Sequence, residues 1–160
     1  MIPKQDLLDL MQKEFATTAR TLRAYPPGQD GFRPHERSSD VIRLASTFVF
    51  ELRLLQIYLF GDEIDRAYFK TYRPETVQSA AAEFDNLSAE IVARFAELPE
   101  SELGKTVAFG GRSFVADKFT AMMVHDQIHH RGQLSVYIRM AGGQVPSIYG
   151  PSADDTSTNL

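Results

Sequence analysis

The chain has 160 residues, of which 43% are hydrophobic and 24% are charged, and its formal net charge is -4. These values suit one globular domain over residues 1–160 with a sizeable hydrophobic core. The absence of cysteine excludes disulfides, thiolate zinc sites and a cysteine nucleophile. Because the chain is acidic and has no basic run, we expect no nucleic-acid partner.

The sequence shows no targeting or membrane segment. The first six residues lack the basic region and apolar run of a signal peptide. No apolar run reaches the ~18 residues that a membrane-spanning helix needs. We therefore expect a cytoplasmic protein without a membrane partner.

Two amphipathic helices are predicted in the first part of the chain. Apolar side chains recur at helical spacing over residues 4–24, and a Pro-Pro-Gly turn ends this helix. The same spacing returns over residues 39–59. Three residues are candidates for the cap of this second helix: Ser38, Ser39 and Asp40.

The middle of the chain predicts a third long helix between two less regular segments. Residues 64–72 fit a short helix or an ordered loop, and Pro74 suits the first turn of a helix over residues 74–98. Residues 100–114 contain two short extended runs around Gly110-Gly111, which fit either a small hairpin or a connecting loop.

A fourth long helix is predicted over residues 116–141, followed by a tail over about 143–160. Residues 145–152 of the tail are expected to pack on the surface, and the last residues are expected to fray. Four long helices without a convincing sheet predict an all-α four-helix bundle, with a small irregular or hairpin insertion before the last helix. Loop lengths do not fix the order of the helices in space.

The fourth helix contains three of the four histidines within six residues. On a helical wheel, His125 lies at the edge of the apolar half, whereas Gln127 and Arg131 fall on the solvent side. Four polar side chains fall inside the apolar half: Asp126, His129, His130 and Gln133. Polar groups are costly to bury unless they are hydrogen-bonded, paired or metal-bound. We therefore expect a histidine-rich core pocket in which His129 or His130 is largely buried.

Two interpretations of this cluster remain open. Two pairs have the one-turn spacing that ligands of one ion need: His125 with His129, and Asp126 with His130. A third ligand would come from Glu51 or from His35. In the other interpretation the cluster is a hydrogen-bonded polar core, in which His130 bonds to Asp126 and His129 or Gln133 reaches Thr47.

The stretch from His125 to Asp154, which begins HDQIHHRGQLSVYIRM, resembles the C-terminal signature of the DinB/YfiT-like superfamily. Phe32 to Ser39, followed by an apolar helix, resembles the family's entry to the second helix. The resemblance implies a four-helix bundle that is often dimeric. It also implies a divalent metal bound by three histidines, one on the second helix and two, one turn apart, on the last. Relatives include transferases that use low-molecular-weight thiols, and hydrolase-like proteins.

This chain departs from the pattern at one position. The family's second-helix histidine falls at about Thr47, and no histidine occurs between His35 and His125. The expected cofactor is therefore a zinc, nickel or iron ion that is held weakly or not at all. One hypothesis is a metal-dependent small-molecule transferase or hydrolase whose catalytic residues are unassigned. The alternative is a non-catalytic dimeric bundle or small-ligand binder with a degenerate metal site. The family resemblance and the wide apolar faces of the helices predict a homodimer.

Overall fold

The computed structural model of the protein describes residues 1–65 and 67–156, so the end of the predicted tail lies outside the described residues. The helices are α1 (Lys4–Arg23), α2 (Val41–Phe60), α3 (Tyr68–Thr71), α4 (Val77–Glu97) and α5 (Ala116–Met140). A 3₁₀ turn (Glu100–Gly104) and an antiparallel pair, β1 (Thr106–Phe109) and β2 (Arg112–Val115), lie between α4 and α5. The predicted all-α four-helix bundle is confirmed. No helix within the described ranges is long and apolar enough to cross a membrane.

The four long helices pack as a bundle in which α1 and α2 each contact both α4 and α5. The Phe48 ring meets His130, and Tyr58 meets Phe119, so α2 and α5 run antiparallel. Lys4 at the start of α1 bonds to Ala96 near the end of α4, so these two helices are also antiparallel. Ile2 bonds to Asp117 and Glu14 bonds to Arg131, so α1 and α5 run in the same direction, and α2 and α4 run in the other.

Local capping fixes where two of the helices begin. The Asp40 carboxylate accepts a hydrogen bond from the Arg43 N–H at 2.8 Å, which makes Asp40 the cap of α2. The predicted start of the third helix at Pro74 is wrong. Thr76 and Ser79 form a reciprocal capping box, so α4 starts at Val77. This box satisfies backbone donors that would otherwise have no partner.

The residues before α5 form a hairpin rather than a loop. Gly110 and Gly111 have φ values of 57° and 75°, a left-handed conformation that glycine adopts without strain. The hairpin packs on the first turns of α5, because the rings of Phe109 and Phe114 lie 5.5 and 6.3 Å from that of Phe119. The insertion thus anchors the start of the helix that carries the histidines.

The tail packs against the bundle over residues 145–152, as the sequence predicted. Val145 and Ser147 are buried, and the Arg20 guanidinium donates to the Ser147 carbonyl at 2.9 Å. Gly143 lies where the chain turns back, and a Cβ there would come within 2.8 Å of the Pro26 ring. The tail therefore covers one edge of the α1–α5 contact.

Candidate metal centre

Three potential ligands converge between α2 and α5. Glu51 comes from α2, and Asp126 and His130 come from consecutive turns of α5; their ligand atoms lie within 4.8 Å of one another. His130 Nε2 is 3.6 Å from Glu51 Oε1 and 3.7 Å from Asp126 Oδ1. Atoms that bind one ion at about 2.1 Å lie roughly 3–4 Å from each other, so the two distances from His130 fit a shared ion. Of the ligand sets left open by the sequence, the structure assembles this one.

Glu51 is the buried member of the group. It is only 3% exposed, and neither carboxylate oxygen has a hydrogen-bond partner among the described residues. Burial, and secondarily the nearby Asp126 side chain, raises the pKa of Glu51 to about 10. A buried carboxyl group without a partner is costly, and a cation would relieve both the desolvation and the repulsion. The donor set therefore fits a divalent metal.

The helix geometry explains this convergence. Asp126 and His130 are four residues apart, which places them on the same face of α5. Phe48 precedes Glu51 by one turn, and its buried ring contacts the His130 ring edge-on at 6.3 Å. The aromatic wall lowers the local dielectric on the inner side, while Asp126 keeps the outer side open to solvent, with its side chain 49% exposed.

Gln133 holds the imidazole of His130 from outside. Its Oε1 lies 3.2 Å from His130 Nδ1, and its Nε2 lies 2.9 Å from His129 Nε2. With the amide oxygen as acceptor, His130 Nδ1 would carry the hydrogen, which would leave the lone pair of Nε2 for a metal near the two carboxylates. The amide nitrogen would then donate to His129. In this orientation Gln133 favours the His130 tautomer that can bind a metal.

The predicted burial of the polar cluster holds for His130 alone, whose side chain is 21% exposed. The prediction is wrong for Asp126, His129 and Gln133, which are exposed, and His125 at the edge of the wheel is exposed as well. Gln127 and Arg131, which the wheel placed toward solvent, are 0% and 1% exposed. Polar and apolar side chains are only weakly segregated around α5. The helical wheel therefore assigned the wrong side of α5 to the core.

The other predicted site residues lie outside the group of three ligands. The Thr47 hydroxyl donates within α2 to the Arg43 carbonyl at 3.1 Å. His35 is exposed in the loop before α2, where its Nδ1 accepts from the Arg37 N–H at 3.1 Å. His125 lines a groove of ≈ 370 Å³ beside Asp126, and it does not converge with His129 on a third ligand among the described residues.

A second polar cluster was missed from sequence. Arg131 on α5 donates to the Glu14 carboxylate at 2.5 Å and to the Thr18 hydroxyl at 3.2 Å on α1. The Tyr149 hydroxyl donates to the same carboxylate at 2.7 Å. Glu14 could have indicated this cluster from the sequence, because it lies on the same helical face as Leu7, Met11 and Thr18. A buried acid on such a face requires a cation opposite it.

Comparison with known proteins supports the family resemblance. The DinB family model matches residues 55–159. The chain is also 30% identical over 83 residues to the uncharacterized protein YrdA of Bacillus subtilis (strain 168). That alignment covers 51% of this chain and 50% of YrdA, so the chain matches about half the length of this curated relative.

Three solved structures share the fold. A DinB-like protein from Bacillus cereus ATCC 10987 has a TM-score of 0.76 at 19% identity, covering 91% of this chain and 97% of its own. The DinB-like protein YjoA of Bacillus subtilis has a TM-score of 0.67 at 19% identity, with coverages of 86% and 92%. YfiT of Bacillus subtilis, described as a probable metal-dependent hydrolase with an unusual four-helix bundle topology, has a TM-score of 0.64 at 11% identity, covering 87% of each chain. Likeness at these identities shows the fold.

Proposed function

The chain belongs to the DinB family, and we propose that it is a metal-dependent hydrolase of a small molecule. Glu51, Asp126 and His130 would hold one divalent cation. The observation that carries this proposal is the buried Glu51 carboxyl group, which has no hydrogen-bond partner among the described residues and faces the other two ligands. The likeness to YfiT, described as a probable metal-dependent hydrolase, supports the same reaction class.

The donor set narrows the choice of ion. Two carboxylates and one imidazole suit zinc, iron(II) or manganese, and three protein ligands are typical of catalytic sites that keep one position open. Glu51 enters from the second helix, the element from which the family's third histidine comes. With Glu51 as a ligand, the missing histidine at about Thr47 no longer leaves the centre incomplete.

The surrounding residues suit hydrolysis. A bound divalent ion would supply an activated water near neutral pH. His129 is exposed beside His130, and its imidazole would exchange protons between the bound water and solvent. The groove next to Asp126 offers apolar contacts from Phe109, Met122 and Met123 to a small substrate. Thiol-dependent transfer, which the resemblance also implied, would use the same centre with a thiol in place of water.

Calorimetric titration of zinc, manganese and iron(II) into the chelator-treated chain tests the centre. We expect binding of one ion per chain, lost in His130→Ala and Asp126→Asn and retained in His125→Ala. Ester and amide substrates, with and without an added thiol, then distinguish hydrolysis from transfer. Binding that survives His130→Ala, or that requires His125 instead, would contradict the proposed ligands.

Gln133→Leu is expected to weaken metal binding by about 10- to 100-fold, because His130 loses the acceptor that fixes its tautomer. The fold should be unaffected, since Gln133 is exposed. Nitrogen-15 NMR of the imidazoles should show His130 shifting from one tautomer to a mixture. Gln12→Leu, an exposed glutamine on α1, is the matched control and should leave both measurements unchanged.

We also propose that the chain forms a homodimer. The support is the family resemblance and two apolar side chains on the outer face of α5, Val136 and Met140, which are 52% and 57% exposed. Light scattering at micromolar concentrations should give twice the mass of the chain. A monomer mass across that range would refute the dimer.

A further inference from the structure

A second pocket lies on the outer side of α2, where the segment of residues 69–73 crosses it. Its volume is ≈ 160 Å³. Six of its lining residues define what we call the basic pocket, three cations and three aromatic side chains: Arg43, Lys70, Arg73, Phe50, Phe69 and Tyr72. None of these is a ligand of the proposed metal centre.

The charges around the basic pocket are unbalanced. Neither Arg43 nor Lys70 has an acidic partner within residues 1–65 and 67–156. Arg73 pairs with Asp40 at 2.6 Å, and Arg33 lies 3.9 Å from the same carboxylate. Arg33 and Arg73 thus share one carboxylate, and Arg43 and Lys70 add two further cations without one, in a chain whose net charge is -4. Such a concentration of one sign attracts an anion.

The walls of the basic pocket are aromatic. The Phe50 ring lies 5.7 Å from Phe69 and 5.5 Å from Tyr72. The nearby acid Glu83 already accepts the Tyr72 hydroxyl at 2.6 Å and pairs with Arg53 at 3.0 Å. Its charge is thus compensated by Arg53. The rings give the pocket apolar walls beside its three exposed cations.

We propose that the basic pocket binds an oxyanion group, a carboxylate or a phosphate, of a small molecule with an apolar or aromatic body. Arg43 and Lys70 would contact the oxyanion. Asp40 fixes the position of Arg73. The guanidinium of Arg43 can meet two oxygens at once, and the aromatic walls would contact the body of the ligand.

This pocket is distinct from the metal centre. Arg43 and Glu51 are eight residues apart on α2, which is about 12 Å along a helix axis. Binding there does not depend on whether a metal is bound at Glu51, Asp126 and His130. The proposal can therefore succeed or fail independently of the hydrolase.

The test is titration of inorganic phosphate, phenyl phosphate and benzoate into the chelator-treated full chain at low ionic strength, followed by calorimetry and NMR. We expect saturable binding of phenyl phosphate or benzoate, tighter than that of inorganic phosphate. Arg43→Gln and Lys70→Gln should each weaken it by about tenfold or more, because each removes a charged hydrogen bond. The ligand that binds more tightly identifies the oxyanion.

Lys13→Gln, an exposed lysine on α1, is the control for general charge and should bind as the unmodified chain does. Arg43→Lys should recover part of the affinity lost in Arg43→Gln, since it restores the charge without the planar fork. The proposal is overturned if none of the three probes saturates. It is equally overturned if Lys13→Gln weakens binding as much as Lys70→Gln does.

Discussion

Glu51→Gln is expected to stabilise the metal-free protein and to abolish divalent-cation binding. The pKa of Glu51 rises from 4.5 to about 10 on burial. A carboxyl group whose folded pKa is raised contributes its full stability below pH 4.5 and loses it as the pH rises toward 10. By pH 7 the loss amounts to about 3 kcal/mol. Glutamine has nearly the same shape and carries no charge, so the variant does not lose this stability. It does lose the carboxylate that would bind the metal.

The measurement is the pH dependence of thermal unfolding for the metal-free chain and the variant. Their melting temperatures should coincide near pH 4 and separate in favour of Glu51→Gln as the pH rises. Added zinc should then raise the melting temperature of the unmodified chain alone. Glu97→Gln, at an exposed position on α4, is the control and should follow the unmodified chain. A variant less stable than the unmodified chain at pH 7 would contradict the argument.

The two expected effects of this substitution have opposite signs, which a purely structural glutamate would not produce. If Glu51 only filled space in the core, replacing it would lower the free energy of unfolding of the metal-free protein. A buried glutamate without a hydrogen-bond partner instead lowers the stability of the empty protein and becomes favourable only when a cation is present. This is the trade between stability and activity that functional sites often show.

The long helices and part of the candidate site were predictable because they depend on local spacing. Apolar periodicity located the four long helices to within a few residues. Asp126 and His130 are one turn apart on one helix, so their convergence needed no tertiary information. Glu51 was recognised as a candidate because it is an acid on the helix where the family resemblance places a ligand.

The orientation of α5 depended on tertiary contacts that periodicity does not contain. The prediction for α5 rested on the assumption that buried side chains are apolar. Arg131 is nevertheless buried, because it pairs with Glu14 on α1, more than a hundred residues earlier in the chain. Gln127 beside it is buried as well. The rotation of α5 that buries these two groups turns Asp126 and His130 to the edge of the bundle. For the same reason, the antiparallel pairing of α2 with α5 could not be read from loop lengths.

Arg131→Met is expected to destabilise the fold by about 3–5 kcal/mol, because it leaves a buried carboxylate without its cation. Arg131 and Glu14 are 1% and 3% exposed, so water cannot replace the lost partner. The Tyr149 hydroxyl would still donate to Glu14, but it carries no charge to balance the carboxylate. Urea unfolding of the two chains measures the difference.

The double variant Glu14→Leu with Arg131→Met separates the cost of an orphaned charge from the value of the pair. Both ions are removed together, and apolar side chains of similar size fill the space between α1 and α5. Replacing a buried ion pair in this way is often neutral or stabilising, so the double variant should unfold within about 1 kcal/mol of the unmodified chain, or above it. The double variant should also bind metal normally, since neither residue is among the proposed ligands. If it is as unstable as Arg131→Met alone, the pair holds α1, α5 and the tail together through its hydrogen bonds, and the charge argument fails.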